Sequence, residues 1–278
     1  MSTVIAPAAD PEFSFSTADF DRVRTLIRKH AGIHLHAGKQ AMVYSRLSRR
    51  LRETGHRSFA DYLDWLESPQ GVGTEKQEFV NSLTTNLTAF FREDHHFELL
   101  AEQLRAFKGG SLRIWCAAAS TGEEPYSLAM TVAESLRAGV SAQIIASDID
   151  TQVLATAQRG VYPAESRGLS PEQLKRHFLR GTGANAGSIR VRPELARMIE
   201  FRPFNLMSAS YSSLGEPFDL VFCRNVMIYF DNPTQRRVLE RIHGVLRPGG
   251  LLYVGHSENF TDARDLFRLR GKTIYERV

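Results

Sequence analysis

The chain has few cysteines. Only Cys116 and Cys223 occur among its 278 residues, and each lies inside an apolar run. So few cysteines in so long a chain exclude a disulfide framework, and both are expected to be small buried hydrophobic side chains. Neither a CxxC nor an HExxH pattern occurs, so the sequence does not support a zinc site or any other metal site.

Long apolar runs are also missing. No window approaches the roughly 20 consecutive apolar residues that a helix needs to cross a bilayer, so no membrane insertion is expected. Residues 1–11 lack the basic start and apolar core of a signal peptide, and residues 1–15 are predicted to be a disordered lead-in. The expected location is the cytoplasm. The net charge of +4 is too small to point to nucleic acid as a partner.

The first third of the chain has helical periodicity, because apolar residues recur at spacings of three and four. A helical domain is therefore predicted over residues 16–92. Its helices are expected to begin near Ser16 and end at Gly32, to run over 39–54 and 58–67, and to begin again near Thr74; a fifth helix is expected over 93–107.

After Lys108-Gly109-Gly110, short apolar runs alternate with helical stretches. The strand-like runs are 112–117, 143–147, 218–223, 251–255 and 273–277, and the helical stretches are 125–138, 151–159 and 233–246. This alternation predicts an α/β fold with a mostly parallel sheet, in which ligands bind at the carboxyl ends of the strands. Residues 161–200 interrupt it and are predicted to form a small inserted β-subdomain.

The turn after the first predicted strand, residues 117–124 (AAASTGEE), lacks the GxGxxG fingerprint of dinucleotide-binding folds. Its small residues still allow a ligand to approach. Glu123 and Glu124 would repel a diphosphate and attract a cation, and S-adenosylmethionine carries a sulfonium and an ammonium without any phosphate. The alternative is that both acids only favour a helix N-terminus.

Polar side chains follow two further predicted strands. Asp148 or Asp150 could accept hydrogen bonds from ribose hydroxyls while the other caps the next helix. Arg224 and Asn225 follow the strand at 218–223, and Tyr229 could touch a reacting group or simply pack in the core.

Five segments closely resemble the motifs of CheR-type chemotaxis receptor methyltransferases. They are residues 84–93 (TTNLTAFFRE), 117–126 (AAASTGEEPY), 146–150 (ASDID), 223–231 (CRNVMIYFD) and 255–260 (GHSENF). The resemblance covers about residues 16–276. It implies an N-terminal helical domain, followed over 93–278 by a Rossmann-like S-adenosylmethionine methyltransferase domain with an inserted β-subdomain. The implied activity is O-methyl ester formation on the γ-carboxyl of glutamates in methyl-accepting chemoreceptors, which gives sensory adaptation.

The resemblance also implies site residues. The expected cofactor contacts are Asn86, Thr88, Arg92, Glu124, Asp148, Asn205, Leu206, Arg224 and Asn225. The choice of Glu124 over Glu123, and of Asp148 over Asp150, rests on the resemblance alone. Residues 86–92 would lie across the cofactor as a lid; the alternative is the start of an amphipathic helix.

Arg92 and Tyr229 are the predicted catalytic residues, which would orient the substrate carboxylate. A glutamate with its usual pKa near 4.3 is already ionised and needs no general base. Arg46, Arg49 and Arg50 share a helix face and would dock the cytoplasmic helical region of a receptor; the alternative is a solvated basic face. In some family members the β-subdomain also binds a receptor C-terminal pentapeptide as an added strand.

Two other classes of protein remain as alternatives. One is a methyltransferase of small molecules or nucleic acid, although residues 225–229 lack the Pro-Pro-Tyr pattern that grips amines on flipped bases. The other is a non-enzymatic adapter that binds S-adenosylmethionine as a sensor, which the presence of both Arg92 and Tyr229 disfavours.

Overall fold

The computed structural model describes residues 12–71 and 73–278. The predicted lead-in at residues 1–11 lies outside the described residues. Residues 12–15 are ordered, contrary to the prediction of a disordered lead-in up to residue 15. Glu12 forms an ion pair with Arg52 at 2.7 Å, and the ring centres of Phe15 and Phe59 are 4.3 Å apart. These residues are ordered because Phe13 and Phe15 both pack against the ring of Phe59.

The chain begins with helices that the apolar spacing predicts closely. They are α1 (Thr17–Ala31), α2 (Gln40–Thr54), α3 (Phe59–Glu67) and α4 (Thr74–Leu83). In α2 the buried Val43, Leu47 and Leu51 recur every four residues along one face. Gly55 ends this helix in the left-handed conformation, with φ of 75°.

The described residues form two compact units. The helical unit ends at Leu83, and the second unit comprises Ala31–Ile33 and Thr84–Val278. The sequence places the domain boundary at residue 92 instead. The difference arises because residues 84–92 carry no helical element and their hydrogen bonds go to the second unit, as described below.

The second unit is built on strands and helices that alternate along the chain. In order these are α5 (His95–Ala106), β1 (Ser111–Cys116), α6 (Glu123–Ser135), β2 (Ser141–Asp148), α7 (Thr151–Arg159), β3 (Val161–Pro163), α8 (Pro171–His177), β4 (Phe178–Arg180), β5 (Ser188–Val191), α9 (Pro193–Ala196), β6 (Ile199–Pro203), β7 (Phe218–Phe222), α10 (Asn232–Val245), β8 (Leu246–Tyr253), β9 (Phe267–Gly271) and β10 (Ile274–Arg277).

A seven-stranded sheet forms the centre of this unit, in the order β6-β2-β1-β7-β8-β10-β9. The first five strands are parallel, and β10 and β9 are antiparallel. Successive residues of β1 face opposite sides, so that Ile114 belongs to one buried apolar cluster and Trp115 to another. The parallel strands end at one edge of the sheet, which is where the predicted site residues lie.

The insertion forms a separate antiparallel sheet in the order β3-β5-β4. Its predicted end at residue 200 is too late, since Ile199 and Glu200 already pair with β2 as part of β6. Neither β6 nor β9 is predicted from the sequence, because both are edge strands with charged residues among the apolar ones. Within the described residues, no helix is long and apolar enough to span a membrane.

Candidate functional site

The turn after β1 is held close to the next strand. The backbone N–H of Ala119 donates to the carbonyl of Ser147 at 2.9 Å, and Ser120 adopts a left-handed conformation with φ of 48°. Gly122 has a φ of 101°, and a Cβ there would lie 2.5 Å from the Tyr162 hydroxyl. Only glycine therefore fits at the point where this turn enters α6.

The two acids after β2 have different roles. Asp150 caps α7, because its carboxylate accepts from the backbone N–H of Gln152 at 2.9 Å. Asp148 accepts from the backbone N–H groups of Ser120 at 2.8 Å and Asp150 at 2.9 Å. Burial raises the pKa of Asp148 to about 6, although these backbone hydrogen bonds work in the opposite direction. Asp150 is thus the helix cap of the pair, while Asp148 bonds the turn after β1.

Residues 84–89 form an irregular segment, so the alternative of a helix start is wrong. The Asn86 amide donates to Asp150 at 2.8 Å, and the Thr84 hydroxyl donates to the same carboxylate at 2.7 Å. The Ser120 hydroxyl in turn donates to the Asn86 carbonyl at 3.0 Å. These bonds tie the segment to the ends of β1 and β2, while Leu87 remains 80% exposed.

The inserted subdomain packs against Phe90, which follows this segment. The buried ring of Phe90 packs edge-on against Tyr162 at 4.9 Å and Phe178 at 5.7 Å. Gly168 has a φ of 90°, and a Cβ there would lie 1.9 Å from the Phe90 carbonyl oxygen. The insertion therefore helps to position residues 86–92, which we call the lid segment.

Arg224 lies at the centre of a buried ionic cluster. Its guanidinium contacts Glu124 at 2.7 Å and Glu93 at 3.2 Å, and its side chain is fully buried. It also donates to the backbone carbonyl of Arg92 and lies 5.6 Å from the centre of the Phe97 ring. The charged groups of Glu124 and Arg224, both predicted cofactor contacts, are thus paired with each other.

Glu258 organises the loop after β7. Its carboxylate accepts from the backbone N–H groups of Asn225 and Met227, both at 2.8 Å, and of Gly255 at 2.6 Å. Burial raises the pKa of Glu258, while these backbone hydrogen bonds oppose the shift. Asn225 has a φ of 58°, a left-handed conformation that persists because the surrounding hydrogen bonds impose it.

The remaining predicted residues lie around the same edge. The Arg92 guanidinium donates to the carbonyl of Leu87 at 3.0 Å, within the lid segment. Tyr229 ends the 3-10 turn Met227–Tyr229 and is half-buried, which leaves both of its predicted roles open. Asn205 and Leu206 follow β6, where the backbone N–H of Phe204 donates to the Asp148 carbonyl at 2.9 Å. Thr88 is half-buried in the lid segment.

The predicted docking arginines belong to the helical unit and differ from one another. Arg49 is 78% exposed and pairs with Glu53 at 2.8 Å. Arg50 is only 14% exposed, and its guanidinium contacts Glu75 at 2.5 Å. The prediction that Arg50 is available for docking is wrong, since its charge is used inside the unit. Arg46 is half-buried.

Two acids of the site are absent from the predicted residues. Glu93 and Glu258 lie inside the family motifs, but nothing in their spacing shows that both carboxylates bond to Asn225, which is 132 residues from Glu93 and 33 residues from Glu258. Their only signal in the sequence is that an acid lies beside each apolar run.

The charges fit S-adenosylmethionine better than a phosphate-bearing cofactor. Glu123 and Glu124 lie at the end of the turn, Asp148 accepts from its backbone at Ser120, and Glu124 and Glu93 share the guanidinium of Arg224. A cationic ligand gains from this excess of negative charge. The buried Asp148 carboxylate has lone pairs left for ribose hydroxyls.

Known proteins resemble the chain over nearly its full length. Residues 86–275 match the family described as CheR methyltransferase, SAM binding domain, and residues 18–84 match CheR methyltransferase, all-alpha domain. The chain belongs to the CheR methyltransferase family. It is therefore an S-adenosylmethionine-dependent methyltransferase of chemotaxis, and the predicted family, fold class and cofactor are confirmed.

Curated relatives agree with this assignment. The chemotaxis protein methyltransferase of Klebsiella aerogenes is 55% identical over 263 residues, covering 94% of this chain and 89% of the relative. That of Escherichia coli is 53% identical, with coverages of 94% and 91%. Chemotaxis protein methyltransferase 2 of Pseudomonas aeruginosa is 54% identical, with coverages of 95% and 94%.

Proposed function

We propose that the protein transfers the methyl group of S-adenosylmethionine to glutamate side chains in the cytoplasmic helical region of chemoreceptors. The observation that carries the proposal is a set of hydrogen bonds at the carboxyl ends of β1 and β2, in which Ser120 bonds both Asp148 and the lid segment at Asn86. The site would be formed by the predicted cofactor contacts, with Glu124 and Arg224 acting mainly through their mutual pairing.

The reaction needs alignment more than acid–base chemistry. Bound S-adenosylmethionine would supply an electrophilic methyl group on a positively charged sulfur, and a glutamate oxygen would bond to that methyl carbon as the bond to sulfur breaks, with S-adenosylhomocysteine as the leaving product. The incoming glutamate is already ionised at neutral pH, and no residue has to remove a proton. Asp148 would hold the ribose, and the lid segment would exclude water; alignment of this kind lowers a barrier by roughly 7–11 kcal/mol in favourable cases.

The deciding experiment is a transfer assay with labelled methyl groups and receptor-containing membranes. Base-labile label on receptor glutamates supports the proposal. Base-stable label, or label on nucleic acid or a small molecule, would support another substrate class. Cofactor binding without any transfer would support the adapter alternative.

Arg92 is the proposed orienting residue for the substrate carboxylate. Its guanidinium is anchored to the lid segment by one nitrogen, Nη1, which leaves further donors of the planar fork available. Arg92→Ala should lower kcat by about 10²-fold, since misplacement of reacting groups by about 1 Å has this effect. Arg159→Ala, a change at the exposed last residue of α7, is the matched control. A normal kcat for Arg92→Ala at saturating substrate would contradict the role. Tyr229→Phe tests the second orienting group in the same way.

Arg49, whose side chain on α2 is 78% exposed, is the proposed contact for an acidic receptor helix, together with Arg46. Arg49→Glu should raise the KM for receptor and leave cofactor affinity unchanged, because rim charges mainly govern encounter. Arg57→Glu, at another exposed arginine of the helical unit, is the control. Equal KM values for the two variants would support a solvated basic face.

The β-subdomain is the proposed site for a receptor C-terminal pentapeptide. Val161 and Leu179 are exposed on the outer strands and lie in register with Arg190 of the central strand. β4 offers the better edge because β3 contains Pro163, which has no N–H to donate. Calorimetric titration should detect binding that Leu179→Glu weakens and Leu269→Glu, on β9, does not. No heat at high peptide concentration would count against the site.

A further inference from the structure

The carboxylate of Glu93 joins three separate segments of the chain. It accepts from the Asn225 amide at 3.2 Å, from the backbone N–H of His256 at 3.1 Å, and from Arg224 at 3.2 Å. The ring Nδ1 of His256 lies 3.0 Å away. Glu93 itself follows the lid segment, while its partners lie in the loops after β7 and β8. Its side chain is only 10% exposed.

These contacts hold two strained residues. Glu93 has a φ of 57° and Asn225 a φ of 58°, and such conformations persist in non-glycine residues only where the surroundings impose them. Both the backbone and the side chain of Asn225 are hydrogen-bonded, because Glu258 accepts from its backbone N–H and Glu93 accepts from its side-chain amide. Gly255 leaves room for that amide, since a Cβ there would lie 2.3 Å from the Asn225 nitrogen.

The Asn225 amide donates to one oxygen of Glu93, and the His256 backbone N–H and the Arg224 guanidinium contact the other, so both oxygens serve as acceptors, as in an ionised carboxylate. Burial opposes ionisation, but the His256 hydrogen bond and the charge of Arg224 outweigh it and lower the pKa of Glu93 to about 2. Glu93 is therefore a carboxylate at every pH at which the enzyme would be assayed. An amide in its place would present an NH₂ group to one of these donors.

We propose that Glu93 is a positioning residue for methyl transfer, which fixes the Asn225 side chain and the end of the lid segment against the loops after β7 and β8. It acts through Asn225 and Arg224 and touches neither cofactor nor substrate. The inference rests on the proposed function, because the contact of Asn225 with the cofactor is part of that proposal.

The test measures S-adenosylhomocysteine affinity by calorimetry, which needs no receptor. Glu93→Gln should raise the Kd by roughly 10-fold or more, as loss of a hydrogen bond to a charged group does, and Glu93→Asp should restore part of the affinity. Glu98→Gln, at an exposed acid of α5, is the matched control and should leave the Kd unchanged. A Kd for Glu93→Gln within twofold of wild type would overturn the proposal.

A double-mutant cycle separates positioning from general destabilisation. Asn225→Ala and Glu93→Gln should not be additive in the Kd, because the second change removes a restraint on a side chain that is already absent. Additive effects would show that Glu93 acts only on folding and would also overturn the proposal. If Glu93→Gln fails to fold, the same cycle is run with Glu93→Asp.

The failures of the two proposals are distinguishable. If the wild-type protein binds S-adenosylhomocysteine but forms no methyl ester on receptors, the proposed substrate is wrong. The cycle in Kd still decides the role of Glu93 in that case.

Discussion

Replacing Arg224 by methionine should destabilise the protein strongly. The change leaves Glu93 and Glu124 without the guanidinium that contacts them at 3.2 and 2.7 Å, and the Arg224 side chain is fully buried. Removing one partner of a buried ion pair costs about 3–5 kcal/mol. For a domain of 150–250 residues, 1 kcal/mol corresponds to about 2–4 °C, so the Tm of the Arg224→Met variant should fall by roughly 6–20 °C.

The assay is thermal unfolding at neutral pH, followed by circular dichroism and repeated at several scan rates to establish reversibility. Arg236→Met is the matched control, because Arg236 also pairs with a carboxylate, that of Asp265 at 2.6 Å, but at an exposed position. Its Tm should change far less, since water screens exposed ion pairs.

A second variant tests the cause of the loss. Adding Glu124→Gln to Arg224→Met removes one of the two stranded charges and should recover part of the lost Tm, with a coupling of about 0.5–3 kcal/mol. A Tm for Arg224→Met close to that of the Arg236 control would refute the reasoning. So would a double variant that is less stable than Arg224→Met alone.

The remaining predictions concern Asp148, the two cysteines and two glycines, and they follow from burial and backbone geometry. Because burial raises the pKa of Asp148 to about 6, S-adenosylhomocysteine should bind more weakly as pH falls through 6, and Asp148→Asn should remove this dependence; a flat wild-type profile would contradict it. For stability the sign is opposite. The pKa of Asp148 in the folded protein is above its usual value of 3.8, so its contribution to stability is largest at low pH and is lost as pH rises through 6. Burial also raises the pKa of both Cys116 and Cys223, so Ellman's reagent should label neither in the native protein and both in urea. Gly55→Ala should lower the free energy of unfolding by about 1–2 kcal/mol, because Gly55 has a left-handed backbone. Gly168→Ala should lower the urea midpoint further, because its Cβ would lie 1.9 Å from a carbonyl oxygen. Equal urea midpoints for the two variants would refute this difference.

The secondary structure of the chain follows largely from local pattern. Helices α2, α3 and α7 begin and end within a residue or so of the predicted limits, because apolar spacing and caps such as Asp150 and Gly55 are local signals. The buried strands β1, β2 and β7 are also found, since continuous apolar runs mark them. Edge strands β6 and β9 are missed because their burial depends on neighbours that are distant in sequence.

The sequence also indicates the ligand class, because an acidic turn without the glycine fingerprint disfavours a diphosphate. The family motifs add which residues to examine. They do not tell which of those side chains are available to a ligand, and for Arg50 and Arg224 the expectation from the motif or the helix face differs from the contacts that the chain makes.

Only the tertiary structure decides how the acids of the site divide their work. Asp150 caps a helix, Asp148 faces the turn, Glu124 pairs with Arg224, and Glu258 and Glu93 hold the loops after β7 and β8. The cap by Asp150 is local, but the other roles depend on partners that the fold brings close from distant parts of the chain. A carboxylate has the same chemistry at every position in a sequence, and its function is set by which donors the fold places around it.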